Sequence, residues 1–79
     1  MNTMSQILYE AFVANVRGRM ATLGITQAEL AVRLRVTPSY VSQILNGHRR
    51  PGLDNLEAFA KVLSVEPADL IRRNFAKTG

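Results

Sequence analysis

The 79-residue chain has no cysteine, no tryptophan, one histidine, three prolines, and only six acidic residues against ten basic ones. Without cysteine there is no disulfide framework, and a lone histidine excludes the common structural metal sites. A single domain of this size builds a core worth only ~3 to 5 kcal/mol, so small chains usually carry a staple. With disulfides and metals excluded, the staple left is a second subunit. No run of about 18 apolar residues is present, and the opening MNTMSQ has neither the basic region nor the cleavage pattern of a secretion signal. These absences lead us to expect a soluble, cytoplasmic protein without membrane contact. Low-complexity segments and internal repeats are absent. Catalysis is poorly provided for: there is no cysteine nucleophile, no acid near His48, no glycine loop for phosphate, and Asp54 and Glu57 are not paired for acid/base work. We expect no catalytic residues, no metal and no cofactor.

What the chain does have is concentrated between Thr26 and Leu45, TQAELAVRLRVTPSYVSQIL. Thr26 followed three residues later by Glu29 reads as a capping box, with Ile25 and Leu30 as its hydrophobic staple. Thr37 reads as a second N-cap, with Pro38 at the first helical position and Val36 and Val41 as staple. The two helix starts lie eleven residues apart, which leaves two turns of helix between them, the spacing of a helix-turn-helix. Glu29 also stands four residues before Arg33 and is expected to pair with it.

On a wheel at about 100° per residue, Val41, Ile44 and Leu45 of the second helix fall together, and Ser39, Ser42, Gln43 and Asn46 fall opposite. Tyr40 and Pro38 lie on the flanks. An outer face of hydroxyls and amides with no acid suits a groove lined by phosphates. Glutamine and asparagine can bond adenine in the major groove, and serine can bond most bases. We therefore expect Ser39, Tyr40, Ser42 and Gln43 to read base edges of double-stranded DNA, with Tyr40 alternatively a shield over the core edge.

Charge is distributed to match. Six arginines and one acid lie between Arg17 and Arg50, whereas residues 51–71 hold four acids and one lysine. The positive half is the half that carries the two short helices, as an electrostatic footprint for phosphate requires. Gln27, at a helix start where free amides favour anions, and the adjacent Arg49 and Arg50 are expected on the DNA backbone; the plain alternative for each is a solvated surface residue. With the two caps and the helix end added, the expected backbone set is Thr26, Gln27, Thr37, Asn46, Arg49 and Arg50.

Elsewhere the pattern is helical. Thr3 or Ser5 can cap a first helix running to about Thr22 and ended by Gly24, with Leu8, Phe12, Val16, Met20 and Leu23 as its buried stripe. Ile7, Tyr9, Ala11 and Val13 add a second apolar set, which packs under the C-terminal segment or meets another chain. A fourth helix is expected over Leu53 to Leu63, burying Leu56, Phe59, Ala60 and Leu63. A short fifth follows from Pro67 and is extended by Phe75, so that residues 67–75 either close the core or form a dimer contact through Leu70, Ile71 and Phe75. The last residues, 76–79, are expected to fray.

The run GITQAELAVRLRVTPSYVSQILNG, with RRP just beyond it, resembles the lambda-repressor-like, Cro/XRE-type helix-turn-helix family. Gln27, Ala31, Val41, Ile44, Asn46-Gly47 and Pro51 carry the likeness, which spans roughly residues 12–71. One departure stands out: the family usually has glycine in the turn, and this chain has Arg35, at a cost on the order of 1 kcal/mol if the backbone there is left-handed. The resemblance implies an all-α, compact five-helix bundle with a central helix-turn-helix at about 26–46, one DNA-binding domain over 1–79. It implies a transcriptional regulator, most often a repressor or autoregulator, dimeric on an operator with two half-sites, in a bacterial or phage setting and associated with the nucleoid. An antitoxin-type module that also binds a partner protein is the alternative.

Overall fold

In the computed structural model, which describes residues 4–73, five helices follow one another in the expected order: α1 Gln6–Leu23, α2 Gln27–Leu34, α3 Pro38–Leu45, α4 Leu53–Leu63 and α5 Pro67–Ile71. The starts follow the caps read from the sequence. The Ser5 hydroxyl accepts the Leu8 amide, Thr26 accepts that of Glu29, and Thr37 accepts that of Tyr40, with Pro38 opening α3. Thr3, the other cap candidate for α1, lies outside the described residues.

The ends share one device. After each of α1 to α4 a residue takes a left-handed backbone: Gly24 (φ 70°), Arg35 (φ 62°), Gly47 (φ 84°) and Ser64 (φ 62°). The following amide then reaches back to close the helix, Ile25 to Met20 (3.1 Å), Val36 to Ala31 (3.0 Å), His48 to Gln43 (2.9 Å) and Val65 to Ala60 (3.0 Å). Two of these four positions are glycine and two are not. The non-glycine pair sit in matching pentapeptides, Leu34-Arg35-Val36-Thr37-Pro38 and Leu63-Ser64-Val65-Glu66-Pro67, each a leucine, a left-handed residue, a valine on the core edge, an N-cap and a proline at the first helical position. The chain thus uses one turn chemistry twice, an echo too short to register as a repeat in the sequence.

One core joins all five helices. Phe12, Val16, Leu30, Ala31, Val41, Ile44, Phe59, Leu63 and Leu70 are all buried, with the Phe12 and Phe59 rings edge to face at 5.0 Å. The stripe expected on α1 holds in its middle and fails at both ends. Leu8 and Leu23 remain 38% and 39% exposed, and Tyr9 takes the core place instead. Successive i+4 steps rotate by about 40°, which carries Leu8 off the face shared by Tyr9, Phe12, Val16 and Met20; Leu23 lies in the last turn. Of the second apolar set only Tyr9 is deeply buried; Val13 is half-buried against the core and Ile7 stays exposed.

At the C-terminal side the expected helix over 67–75 stops at Ile71, because Arg72 is extended (φ −80°, ψ 125°). Leu70 is fully buried against the other helices, which is the core-closing alternative of the two read from the sequence. Ile71 packs half-buried against the core, and Phe75 lies outside the described residues.

A helix of five residues has no internal partners for its last carbonyls, and a buried side chain from α1 supplies them. The Asn15 carboxamide donates to the carbonyls of Asp69 (3.2 Å), Leu70 (2.9 Å) and Arg72 (2.9 Å). Arg19 does the same for α4, its Nε donating to the Leu63 carbonyl at 2.8 Å.

Two stability measurements check these assignments. Replacing Asn15 by leucine leaves buried carbonyls without donors and should cost about 1 to 3 kcal/mol in urea denaturation. Replacing Arg35 by glycine removes the left-handed penalty at some cost in unfolded-state entropy, and should raise stability by about 0.5 to 1 kcal/mol, a melting shift of a few degrees upward. A lower melting temperature for that variant would show the turn to be unstrained.

Candidate nucleic-acid interface

α2 and α3 form the helix-turn-helix, and the turn between them sets what α3 presents. Val41 and Ile44 are fully buried and Leu45 nearly so, which seats α3 on the bundle by its aliphatic side. The opposite arc is outside: Ser39, Gln43 and Asn46 are exposed, and Ser42 and Tyr40 are half-buried. The side expected to read bases is therefore the side that faces solvent.

These polar side chains are connected. Gln43 Nε2 donates to Ser39 Oγ at 3.4 Å, and Asn46 Nδ2 donates to Ser42 Oγ at 3.1 Å. Each pair is one helical turn apart, so the bonds run along the exposed ridge and order it before any ligand arrives. Each serine hydroxyl accepts and keeps its own hydrogen to donate, and each amide keeps a second N–H.

At the helix starts, the hydroxyls of Thr26 and Thr37 accept one amide each at 3.1 Å; that of Thr37 keeps its hydrogen for an outside acceptor such as a phosphate oxygen, whereas that of Thr26 is turned to the Glu29 carboxylate. Gln27 is half-buried in the first turn of α2. The Glu29 carboxylate completes the capping box by accepting the Thr26 amide at 2.8 Å. This corrects the expected Glu29–Arg33 pair: the carboxylate is turned toward the helix start. That amide bond, with the Thr26 hydroxyl second, lowers the Glu29 pKa from the ordinary 4.5, while Arg33 adds only a minor attraction. An ion pair does form between Arg72 and Asp69, at 3.1 Å in the C-terminal region.

The two loop arginines go separate ways. Arg49 places its guanidinium carbon 5.0 Å from the centre of the Tyr40 ring, beside α3. Arg50 turns back to the start of α1, donating to the Met4 carbonyl at 3.4 Å and to the Gln6 side-chain oxygen, and lying 5.9 Å from the centre of the Tyr9 ring. The two adjacent arginines are thus split: Arg49 flanks the exposed face of α3 and Arg50 fastens the loop to the N-terminal helix.

Two contributors escaped the sequence reading. The Tyr9 hydroxyl donates to the Ile44 carbonyl, and Arg17 Nη2 donates to the Leu45 carbonyl at 2.9 Å and to Asn46 Oδ1 at 3.3 Å. Both hold the C-terminal end of α3 from α1. The polar residue on an otherwise apolar stripe, Tyr9, was the available signal; for Arg17, some thirty residues away in sequence, there was none. Among the described residues no cluster of histidine, cysteine, aspartate or glutamate is arranged to hold a metal ion, and no helix is long and apolar enough to cross a membrane.

A capped eight-residue helix, a tight left-handed turn and a second helix seated by its aliphatic side with amides and hydroxyls outward define a helix-turn-helix DNA-binding regulator of transcription. The match of residues 17–70 to the helix-turn-helix family model places the chain in that family, in its Cro/XRE-type branch, whose members are not enzymes. The chain is 48% identical over 44 residues to the 26 kDa repressor protein of Escherichia phage HK022, a match over 56% of this chain and 19% of that protein. It is 36% identical over 53 residues to the control protein C.BamHI of Bacillus amyloliquefaciens, covering 67% of this chain and 65% of that one. The chain therefore matches only about a fifth of the phage repressor's length and just under two thirds of the control protein's. Among solved structures, the DNA-binding domain of the P22 C2 repressor superposes with a TM-score of 0.76 at 28% identity, over 100% of this chain and 96% of that one.

The pH dependence of stability checks the capping box. Because Glu29 is bonded as a carboxylate, its pKa is lower in the folded than in the unfolded chain. Its contribution is complete above about 4.5 and is lost as pH falls through the lowered folded value. In denaturation midpoints taken from about pH 6 to about pH 3, Glu29→Gln should lose less stability than the unaltered protein over this acid window. Parallel declines would assign the acid limb to other carboxylates.

Proposed function

We propose that the protein is a sequence-specific repressor that binds an operator as a homodimer and acts by occupying DNA that overlaps a promoter, commonly its own. The observation that carries this reading is the exposed ridge of α3, an ordered row of serine, glutamine and asparagine groups without an acid, seated on a buried aliphatic face. In this reading Ser39, Tyr40, Ser42 and Gln43 meet base edges in the major groove. Thr26, Gln27, Thr37, Asn46 and Arg49 meet the sugar-phosphate backbone and fix the register, which carries no sequence information by itself. Arg50 adds positive potential near the backbone while its guanidinium stays with Met4 and Gln6.

One α3 covers only a few base pairs, so two copies on half-sites about 10 base pairs apart, one turn of the duplex, supply the length of a specific site. The described residues leave Ile7, Leu8 and Ile71 partly or well exposed along α1 and α5. Ile71, with Phe75 beyond the described residues, is the contact proposed for the second copy. The whole chain, 1–79, acts as one DNA-binding domain, and the cytoplasm of a bacterial cell, at the nucleoid, is the setting such a function requires. The names of the phage repressor and of the control protein support regulation as the role.

Footprinting of the purified protein on the DNA upstream of its own gene, with its mass in solution measured alongside, tests the reading. A protected site of two half-sites and a dimer mass are expected; protection no better than on bulk duplex sinks it. On the protected site, Gln43→Ala should cost about 1 to 3 kcal/mol and relax specificity. Arg49→Ala should weaken binding to all sequences and reduce the salt slope by about one. Equal losses on specific and random DNA for Gln43→Ala would remove glutamine from base reading.

A further inference from the structure

Arg17 enters the sequence reading only as one unit of positive charge, yet its side chain makes two directed bonds at the end of α3. Nη2 donates to the Leu45 carbonyl at 2.9 Å and to Asn46 Oδ1 at 3.3 Å. The first bond meets an unpartnered carbonyl at the negative end of the helix dipole, where a cation is favoured. The second decides which way round the Asn46 carboxamide sits. With its oxygen facing Arg17, its nitrogen faces α3, and Nδ2 donates to Ser42 Oγ at 3.1 Å. Ser42, whose oxygen is occupied by that bond, keeps its hydroxyl hydrogen for an acceptor outside the protein. A relay therefore runs from α1 through Asn46 to the ridge of α3.

We propose that Arg17 is a positioning residue for DNA readout: by orienting the Asn46 carboxamide it sets the direction of the Ser42 hydroxyl, so a residue on the scaffold helix governs base discrimination without being on the reading helix. This rests on the reading of α3 as the base-reading element. The guanidinium is suited to the task because its planar, multi-donor head serves two acceptors in fixed directions, whereas a lysine ammonium is a single rotating point charge. Arg17 also borders a groove of about 450 Å³ between α1 and the end of α3, walled by Tyr9, Val13, Ala14 and Leu45.

The test uses Arg17→Lys, which keeps the charge and loses the fixed geometry, with Arg17→Gln as the second variant should the first melt below the conditions of the binding assay. Affinity for the footprinted site should fall about tenfold more than affinity for random duplex, and the Asn46 side-chain amide should become less ordered in NMR relaxation of the free protein. In an Asn46→Ala background the same substitution should cost no further discrimination, since the relay is already cut. Equal losses on both DNAs would make Arg17 a plain phosphate contact and overturn the proposal. So would an Asn46 amide that stays as ordered in Arg17→Lys as in the unaltered chain. If the unaltered protein prefers no site, base reading by α3 has failed, and the amide measurement still decides whether Arg17 positions Asn46.

Discussion

The structure depends on how the ends of its short helices are satisfied. An α-helix leaves its last four carbonyls without internal partners, and here α2 and α3 have eight residues each and α5 only five. A large share of the backbone is therefore helix end. The left-handed residues at 24, 35, 47 and 64 close part of this deficit locally. For α3, α4 and α5 more is met from one place. Along a single segment of α1, Asn15 serves the end of α5, Arg17 the end of α3 and Arg19 the end of α4, with Tyr9 adding a second bond to α3. In α1, residues two apart point about 200° from one another, so alternate polar positions fan out to three neighbours while Phe12, Val16 and Met20 face the common core.

That arrangement links stability to function. α3 exposes one long face, so it can be held only from beneath and at its ends. Val41, Ile44 and Leu45 hold it from beneath; Thr37 and Pro38 hold its start, and Tyr9 and Arg17 hold its finish. A helix gripped in this way presents its ridge with little freedom, and the ridge is itself bonded along its length, Ser39 to Gln43 and Ser42 to Asn46. Ordering that is already in place need not be supplied when a ligand binds. The asymmetry of charge acts at longer range, with the arginines of residues 17–50 drawing the protein to the duplex and the acids of residues 51–71 lying on the remainder.

The split between Arg49 and Arg50 shows the limit of reading neighbours as partners. Adjacent in sequence and identical in chemistry, they part because the loop leaves α3 next to the start of α1: one side chain lies over Tyr40 and the other over Tyr9. Glu29 gives the same lesson on a helix. Arg33 stood at the favourable i+4 spacing, but the nearer and better aligned partner was the backbone amide of Thr26. Charge-assisted bonds to a fixed backbone donor are stronger than contacts between two solvated side chains.

Sequence alone determined the local structure, because its causes lie within a few residues of each other: the Thr26 and Thr37 caps, the prolines at 38 and 67, the glycines at 24 and 47, and the aliphatic faces of α3 and α4. It also determined the polar ridge of Ser39, Ser42, Gln43 and Asn46, since burying Val41, Ile44 and Leu45 forces the opposite arc outward. Tertiary structure decided what depends on residues far apart in the chain. It put Tyr9 rather than Leu8 in the core, closed Leu70 into the interior, stopped α5 at Ile71, and brought Asn15, Arg17 and Arg19 to three helix ends between 28 and 57 residues away. A bond of that kind has no period and no spacing to betray it, because its geometry exists only once the helices have packed.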